Sequence, residues 1–405
     1  GHSSNIGLSE MMNYPGVINL DDEIIRKLEL FSGGHIDGHA PQLSGKALNA
    51  YIAAGIKTEH EATSKSEALE KLQKGMRILV REGSVSKDLK SLHTLINDYT
   101  SPYICLCTDD RNPLDIEEYG HIDFMVRTLI EMGVSPLNAY RSASLSASEA
   151  FGLNDRGIIA PGKKADIVIL DNLEECRAKT VICGGKVIDE NLFSNVKRVS
   201  PIGLNSVKSK DLSKSDFITK DKIQSTNIIG IIEGKIITEH ILEDIPIIDG
   251  DKAPDISRDL VRVSVIERHG KNNNIANGFV RGFGLKKGAV ASTVAHDHHN
   301  IVSIGVEYED MALACNRIKE IDGGFVIASQ GKIISELPLP IAGLMSLESF
   351  ETVRNQLVEL RKSAKDLGII LEEPFLQLAF LALPVIPSLK ITDFGMVDVE
   401  KFKII

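Results

Sequence analysis

At 405 residues the chain can bury a sizeable core and is expected to hold two or three domains. Its 56 acidic residues against 46 basic ones leave a net charge of −10, which argues against nucleic acid as a partner. Five cysteines with no CxxC pair make no disulfide framework and suit a reducing, cytoplasmic setting. No apolar run approaches bilayer length and no secretory leader opens the chain, so no membrane partner is expected. The opening "GHSS" reads as a scar of expression, and His2 is set aside.

From residue 1 to about 150, short apolar segments ending in polar residues alternate with amphipathic helical ones, the pattern of βα units around a parallel sheet. The strand ends are "NIGLSE", "GGHIDGHAP", "AGIKTEHE", "MRILVREGS" and "YICLCTDD". Helices are expected at "LDDEIIRKLELF", "SKSEALEKLQKG" and "KDLKSLHTLI", then at "EEYGHIDFMVRTLIEMG" and "SPLNAYRSASLSASEAFG". Residues 151–228 form a second region. "DRGIIAPGKKADIVILDN" and "TVICGGKVI" are short strands split by Pro-Gly and Gly-Gly turns, suited to a small β module, and the Ser- and Lys-rich stretch 201–228 reads as an exposed connection. Residues 229–405 read as a mixed α/β domain with strands such as "GFVIASQGKIISEL" and a long helix, "SFETVRNQLVELRKSAKDLG".

All five strand ends finish in groups that bind metals or move protons: Glu10; His39; His60 and Glu61; Glu82 and Ser84; Asp109 and Asp110. In a parallel β/α barrel the loops after the strands converge over a packed core, so these positions share one face. In "GGHIDGHAP", His35, Asp37 and His39 would project the same way from an extended backbone. Imidazole and carboxylate together, without thiolate, suit a catalytic zinc, manganese or iron(II) rather than a closed structural zinc. Such an ion supplies hydroxide at neutral pH, and a neighbouring carboxylate can carry the proton to a leaving group. Asp109 is the best placed for that role.

"GLSEMMNYPGV", "GHIDGHAPQLSGKALNAYIAAGIKTEHEATSKSEALEKLQKGM", "REGS", "CTDDRNP" and "NGFVRGFGLKKGAVASTVAHDHHN" together resemble the bacterial adenine deaminases of the amidohydrolase superfamily. The resemblance implies an α/β chain. It would comprise a partial amidohydrolase-type (β/α)8 barrel (1–150), a small β-sandwich module with its connection (151–228) and a C-terminal mixed α/β domain (229–405). It implies two divalent metal ions, manganese first with iron(II) or zinc as alternatives, in an enzyme of purine salvage that turns adenine and water into hypoxanthine and ammonia. Glu10 would bridge the metals, His39 and His60 would ligate them, and Asp109 would be both ligand and proton shuttle. His35 and Asp37 would support His39 from behind. Glu61, also a candidate catalytic group, and Glu82 would contact purine nitrogens, with Ser84 and Asp110 as further contacts. A homo-oligomer is expected.

A complete barrel has eight strands, and five strand ends precede the β module. The His-x-His pair of the family's first barrel strand is not found before residue 10, so the family's N-terminal part is expected to be missing or to exist as a separate segment. One His-x-His occurs later, in "STVAHDHHNIV", with His298 where the family usually has Ser. If extended it puts His296 and His298 on one face, and His296, Asp297 and His299 are possible contributors to the active site. "NGFVRGFGLKKGAV" lacks the following helix that a phosphate loop needs and reads as a hairpin. The alternatives are another amidohydrolase acting on a cyclic amide or amidine, and an inactive fragment that serves as an assembly or binding module.

Overall fold

Apolar runs separated by amphipathic helices cannot pair as hairpins, so they align in parallel through crossovers. The computed structural model describes residues 5–193, 199–219 and 223–405; the opening GHSS lies outside them. Strands β1 (Gly7–Met11), β2 (His35–Gly38), β3 (Thr58–Glu59), β4 (Arg77–Arg81) and β5 (Ile104–Cys107) form one parallel sheet in chain order. Among the described residues, β1 and β5 each pair with a single neighbour. All five expected strands are therefore present, in the arrangement of a partial β/α barrel.

Between and after them run α1 (Tyr14–Ile18), α2 (Asp22–Leu30), α3 (Gly45–Ala53), α4 (Lys65–Gln73), α5 (Leu89–Leu92), α6 (Pro113–Tyr119), α7 (Ile122–Glu131), α8 (Pro136–Ala143) and α9 (Leu145–Ala150). Asp21, Ser64 and Asn112 cap α2, α4 and α6 through their side-chain oxygens. Three expected helices are shorter than their periodicity suggested. The helix over 117–133 breaks at Gly120, whose φ of +105° only glycine adopts cheaply. The one over 135–152 breaks at Ser144, and the one over 87–96 keeps a single α turn followed by a 3-10 turn. Beyond them, β6 (Ile167–Leu170), β7 (Ala178–Cys183) and β8 (Lys186–Val187) make a three-stranded antiparallel sheet, turning at Gly184-Gly185. Where a small β-sandwich module is expected, the described residues form this single sheet.

The chain divides into two units, Gly1–Arg198 and Val199–Ile405. In the second, β9 (Ser225–Ile231), β10 (Thr238–Asp244), the short pair β11 (Ile247–Ile248) and β12 (Asp251–Lys252), β13 (Leu260–Ile266), β14 (Ile275–Arg281), β15 (Ala289–Ser292), β16 (Ile301–Gly305), α10 (Tyr308–Glu320), β17 (Gly324–Ser329), β18 (Lys332–Pro338), α11 (Phe350–Asp366), α12 (Pro374–Phe380), β19 (Leu389–Thr392), β20 (Gly395–Asp398) and β21 (Lys403–Ile404) follow in order. Eight of these strands form one sheet, β10-β9-β14-β13-β16-β15-β17-β18. Side chains alternate across it: Val290, Ile304 and Ile327 pack with α11 and α12 residues such as Leu360 and Leu378, and Ala289, Ala291 and Val326 pack with Met311 and Cys315 of α10. Gly305 lets α10 lie close, since a Cβ there would meet Met311 Cγ at 2.3 Å. No helix among the described residues is long and apolar enough to cross a membrane.

Three expectations are refined in this unit. Over its described residues the stretch 201–228 is mostly exposed, as expected, but it is anchored: Val207, Leu212 and Phe217 are buried with α10, and Asn316 pins the Leu212 backbone from both sides. Phe217→Ala should destabilise the unit by about 3–5 kcal/mol, read as a lowered urea midpoint at unchanged slope. "NGFVRGFGLKKGAV" does form two strands, β14 and β15, but they are not a hairpin, because β13 and β16 lie between them. "AHDHHN" is not extended; the His299 N–H closes a turn onto the Ala295 carbonyl at 2.7 Å.

Candidate metal centre

The site begins with backbone ends fixed by buried polar side chains. Tyr51 of α3 is fully buried, donates its hydroxyl hydrogen to the Met11 carbonyl (2.6 Å) and accepts from the His39 N–H (3.0 Å). One phenol thus clips the residue after Glu10 to the backbone of His39. Gly38 permits the close approach of β2 to β3, since a Cβ there would sit 2.7 Å from the Thr58 carbonyl oxygen. Glu59 accepts from the Glu61 N–H (2.8 Å) and pairs with Lys71 of α4 (3.1 Å). Lys71 also donates to the Ala40 carbonyl at 2.9 Å. Both partners of that pair are fully buried, so removing Lys71 would strand the Glu59 charge, whereas Lys71 keeps Glu67 at 2.7 Å when Glu59 is lost.

On this frame Glu10 faces two histidines. Its Oε2 lies 3.3 Å from His39 Nδ1 and its Oε1 lies 3.6 Å from His60 Nε2. The two rings stand edge to face, 5.9 Å apart. Glu10, His39 and His60 each offer one ligand atom, and these atoms fall within 4.8 Å of one another; His60, Glu61 and Asp109 do the same. Both ring nitrogens of His39 are buried without a hydrogen-bond partner. Buried polar atoms are seldom left so, and a cation beside Glu10 would satisfy one of them. Burial lowers the proton affinity of His60, but its hydrogen bond to Asp37 and the charges of Glu61 and Glu10 raise its pKa to about 10. That surplus of negative charge is what a divalent cation would neutralise, displacing the proton. The donor set fits a borderline or hard divalent ion.

Asp37 stands behind His60: its Oδ2 lies 3.6 Å from His60 Nδ1, and its other oxygen accepts from the Thr58 hydroxyl and the Gly38 N–H. Carboxylates that back a ligating imidazole fix its orientation. This corrects the expectation that Asp37 and His35 support His39. His35 bonds instead to the Thr58 hydroxyl at 3.0 Å.

Sequence reasoning missed Arg81, Lys71 and Tyr51. The signal for Arg81 was a cation closing the apolar run "MRILVR". Its Nη1 lies 2.5 Å from Glu61 Oε1 and 3.0 Å from Asp109 Oδ2, and its Nη2 lies 3.0 Å from Glu61 Oε2. Burial pushes the Glu61 carboxyl up, but Arg81, His39 and His60 overcome this and hold it at about 2. Glu61 is therefore an anion with both oxygens committed to Arg81. Asp109 follows β5 in a left-handed conformation (φ +54°).

The remaining candidates hold loops. Glu82 Oε2 accepts from the Leu89 N–H (3.1 Å) at the start of α5, and burial raises its pKa. Ser84 Oγ accepts from the Asn112 N–H at 3.0 Å. The Asp110 carboxylate packs on Gly83, where a Cβ would come within 2.1 Å of its Oδ1. In the second unit, His296 stacks on Phe380 at 5.3 Å with Asp297 3.4 Å away, and its ring lies 6.1 Å from that of His299. His296, Asp297 and His299 enter neither ligand group.

Residues 1–188 match the Amidohydrolase family, and residues 235–403 match the Adenine deaminase C-terminal domain. An adenine deaminase of Cereibacter sphaeroides is 60% identical over 404 residues, covering 100% of this chain and 72% of that protein. Adenine deaminase 1 of Agrobacterium fabrum is 58% identical over 404 residues, covering 100% of this chain and 70% of that protein. Among solved structures, N-acetyl-D-glucosamine-6-phosphate deacetylase from Mycobacterium smegmatis is 16% identical over 43% of this chain and 52% of its own, with a TM-score of 0.35, too partial a likeness to bear on the chemistry.

Proposed function

We propose, from the premise that this chain belongs to the adenine deaminase family, that it catalyses the hydrolytic deamination of adenine to hypoxanthine and ammonia. The observation that carries the reading is the Glu10 carboxylate, whose two oxygens face two different imidazoles, one of them buried with unpartnered nitrogens. Glu10, His39, His60 and Asp109 would hold two divalent ions, manganese in our reading. When bound, such ions lower the pKa of water and supply hydroxide near neutral pH.

The chain's own residues then handle protons. Asp109 takes the proton of the attacking water as the C6–oxygen bond forms and returns it to the exocyclic amine, which leaves as ammonia. Its side chain is 39% exposed, open enough to exchange with solvent. As the C6 carbonyl forms, the second proton of the attacking water goes to solvent, and the electron pair displaced from the ring reaches N1, which takes a proton from solvent. Glu61 is held as an anion by Arg81, so in this reading it orients groups and does not donate that proton. Glu82, Ser84 and Asp110 set the loops that carry the purine contacts. A homo-oligomer working in cytoplasmic purine salvage completes the reading.

The test is direct. Protein loaded with Mn2+ should contain two ions per chain and release ammonia from adenine with the ultraviolet change to hypoxanthine. Fully loaded protein that leaves adenine intact would refute the assignment.

A further inference from the structure

We propose that Arg81 is the positioning residue of this site: its guanidinium locks Glu61 and grips one oxygen of Asp109, giving the proton-carrying carboxylate a single orientation. The inference rests on the role given to Asp109 above. Arg81 closes β4, a strand whose Ile78 and Val80 are fully buried, and is itself 2% exposed. Its backbone is paired with Cys107 of β5, two residues before Asp109. Its anchor is therefore rigid. Asp109 has the opposite character, since it lies beyond the last residue of its strand and is partly open to solvent. A carboxylate there would otherwise sample several rotamers.

The bonding pattern carries the argument. A guanidinium paired with Glu61 for stability alone needs only the fork of Nη1 to Oε1 and Nη2 to Oε2. Here Nη1 also donates to Asp109 Oδ2 at 3.0 Å, so one planar group ties the loop after β3 to the loop after β5. Asp88 Oδ2, 3.5 Å from Nη2, helps hold that plane. A lysine would keep the charge but not the fork. Among the described residues Arg81 makes no direct hydrogen bond or ion pair with Glu10, His39 or His60; its link to the first ligand group runs through Glu61, whose Oε1 lies 3.5 Å from His39 Nδ1 and 3.4 Å from His60 Nε2, and a lysine keeps the positive charge beside that carboxylate.

The experiment compares wild type with Arg81→Lys in the full chain loaded with Mn2+. The expected result is a fall in kcat of about 100-fold, the cost of misplacing a reacting group by about 1 Å, with KM and the Mn2+ at the Glu10–His39–His60 group unchanged. A kcat near the wild-type value, or a loss of activity that follows loss of all Mn2+, would overturn the proposal. Should Arg81→Lys fail to fold, the double variant Arg81→Met with Glu61→Met removes the guanidinium together with the carboxylate it forks, and full activity in it would equally overturn the proposal. A second readout needs no turnover: Asp109→Ala, which removes the accepting oxygen, should shift the urea midpoint of the wild type and leave that of Arg81→Lys unmoved. Equal shifts in the two backgrounds would refute the Arg81–Asp109 tie. If wild type itself does not deaminate adenine, the functional reading fails while this measurement still decides the positioning role.

Discussion

Asp109→Asn lowers the rate of ammonia release from adenine by about 10²–10⁴-fold, the usual worth of a general acid–base group, and leaves the fold in place. The amide is nearly the same size and its oxygen can still accept from Arg81 Nη1, so the contact at 3.0 Å survives. What it cannot do is take a proton from water and return it to a departing amine. Because the side chain is partly exposed, no buried cavity or stranded charge accompanies the change. Steady-state kinetics with a far-ultraviolet circular dichroism spectrum checks both halves. Normal turnover in a folded variant would leave the proton shuttle without a residue.

Glu10→Gln is expected to reduce the affinity for Mn2+ by more than about 100-fold, since even groups behind the ligands cost 10–100-fold when removed. The carboxylate sets one oxygen against each imidazole, at 3.3 and 3.6 Å. An amide offers a neutral oxygen to only one side. Calorimetric titration measures the loss directly, and thermal unfolding gives an independent check. In wild type, Mn2+ at about 100 times its Kd adds roughly 2.7 kcal/mol to stability, and that increment should vanish in the variant. An unchanged Mn2+ isotherm would remove Glu10 from the ligand set.

Much of the first unit is legible because its signals are local. Each strand is a short apolar run that stops at a polar residue, and five such stops in succession identify the face on which Glu10, His39, His60, Glu61 and Asp109 meet. What escapes is pairing between segments distant in sequence. Asp37 reads as a support for His39, its neighbour two residues on, yet β2 lies beside β3 and the carboxylate reaches His60 across that boundary. Arg81 and Lys71 look like ordinary solvated cations until their buried carboxylates are known. Likewise Val207, Leu212 and Phe217 are spaced too widely among serines and lysines to show a period, and only α10 and its Asn316 reveal why they are inside. The two halves of "NGFVRGFGLKKGAV" read as strands and are strands, but which strands they border is decided by β13 and β16, encoded elsewhere.

The two margins of the five-stranded sheet carry a constraint on anything that could lengthen it. A strand running in the same direction as β1 or β5 cannot be delivered by a tight turn from its neighbour, because its start lies at the far end of the sheet. It must arrive through an overhead crossover, a helix long enough to retrace the strand, and the natural hand of that crossover is right. A bare extended peptide could satisfy the backbone groups of β1 but would bring no cover for its own outward face. Growth at these margins is therefore quantised in whole strand-and-helix units.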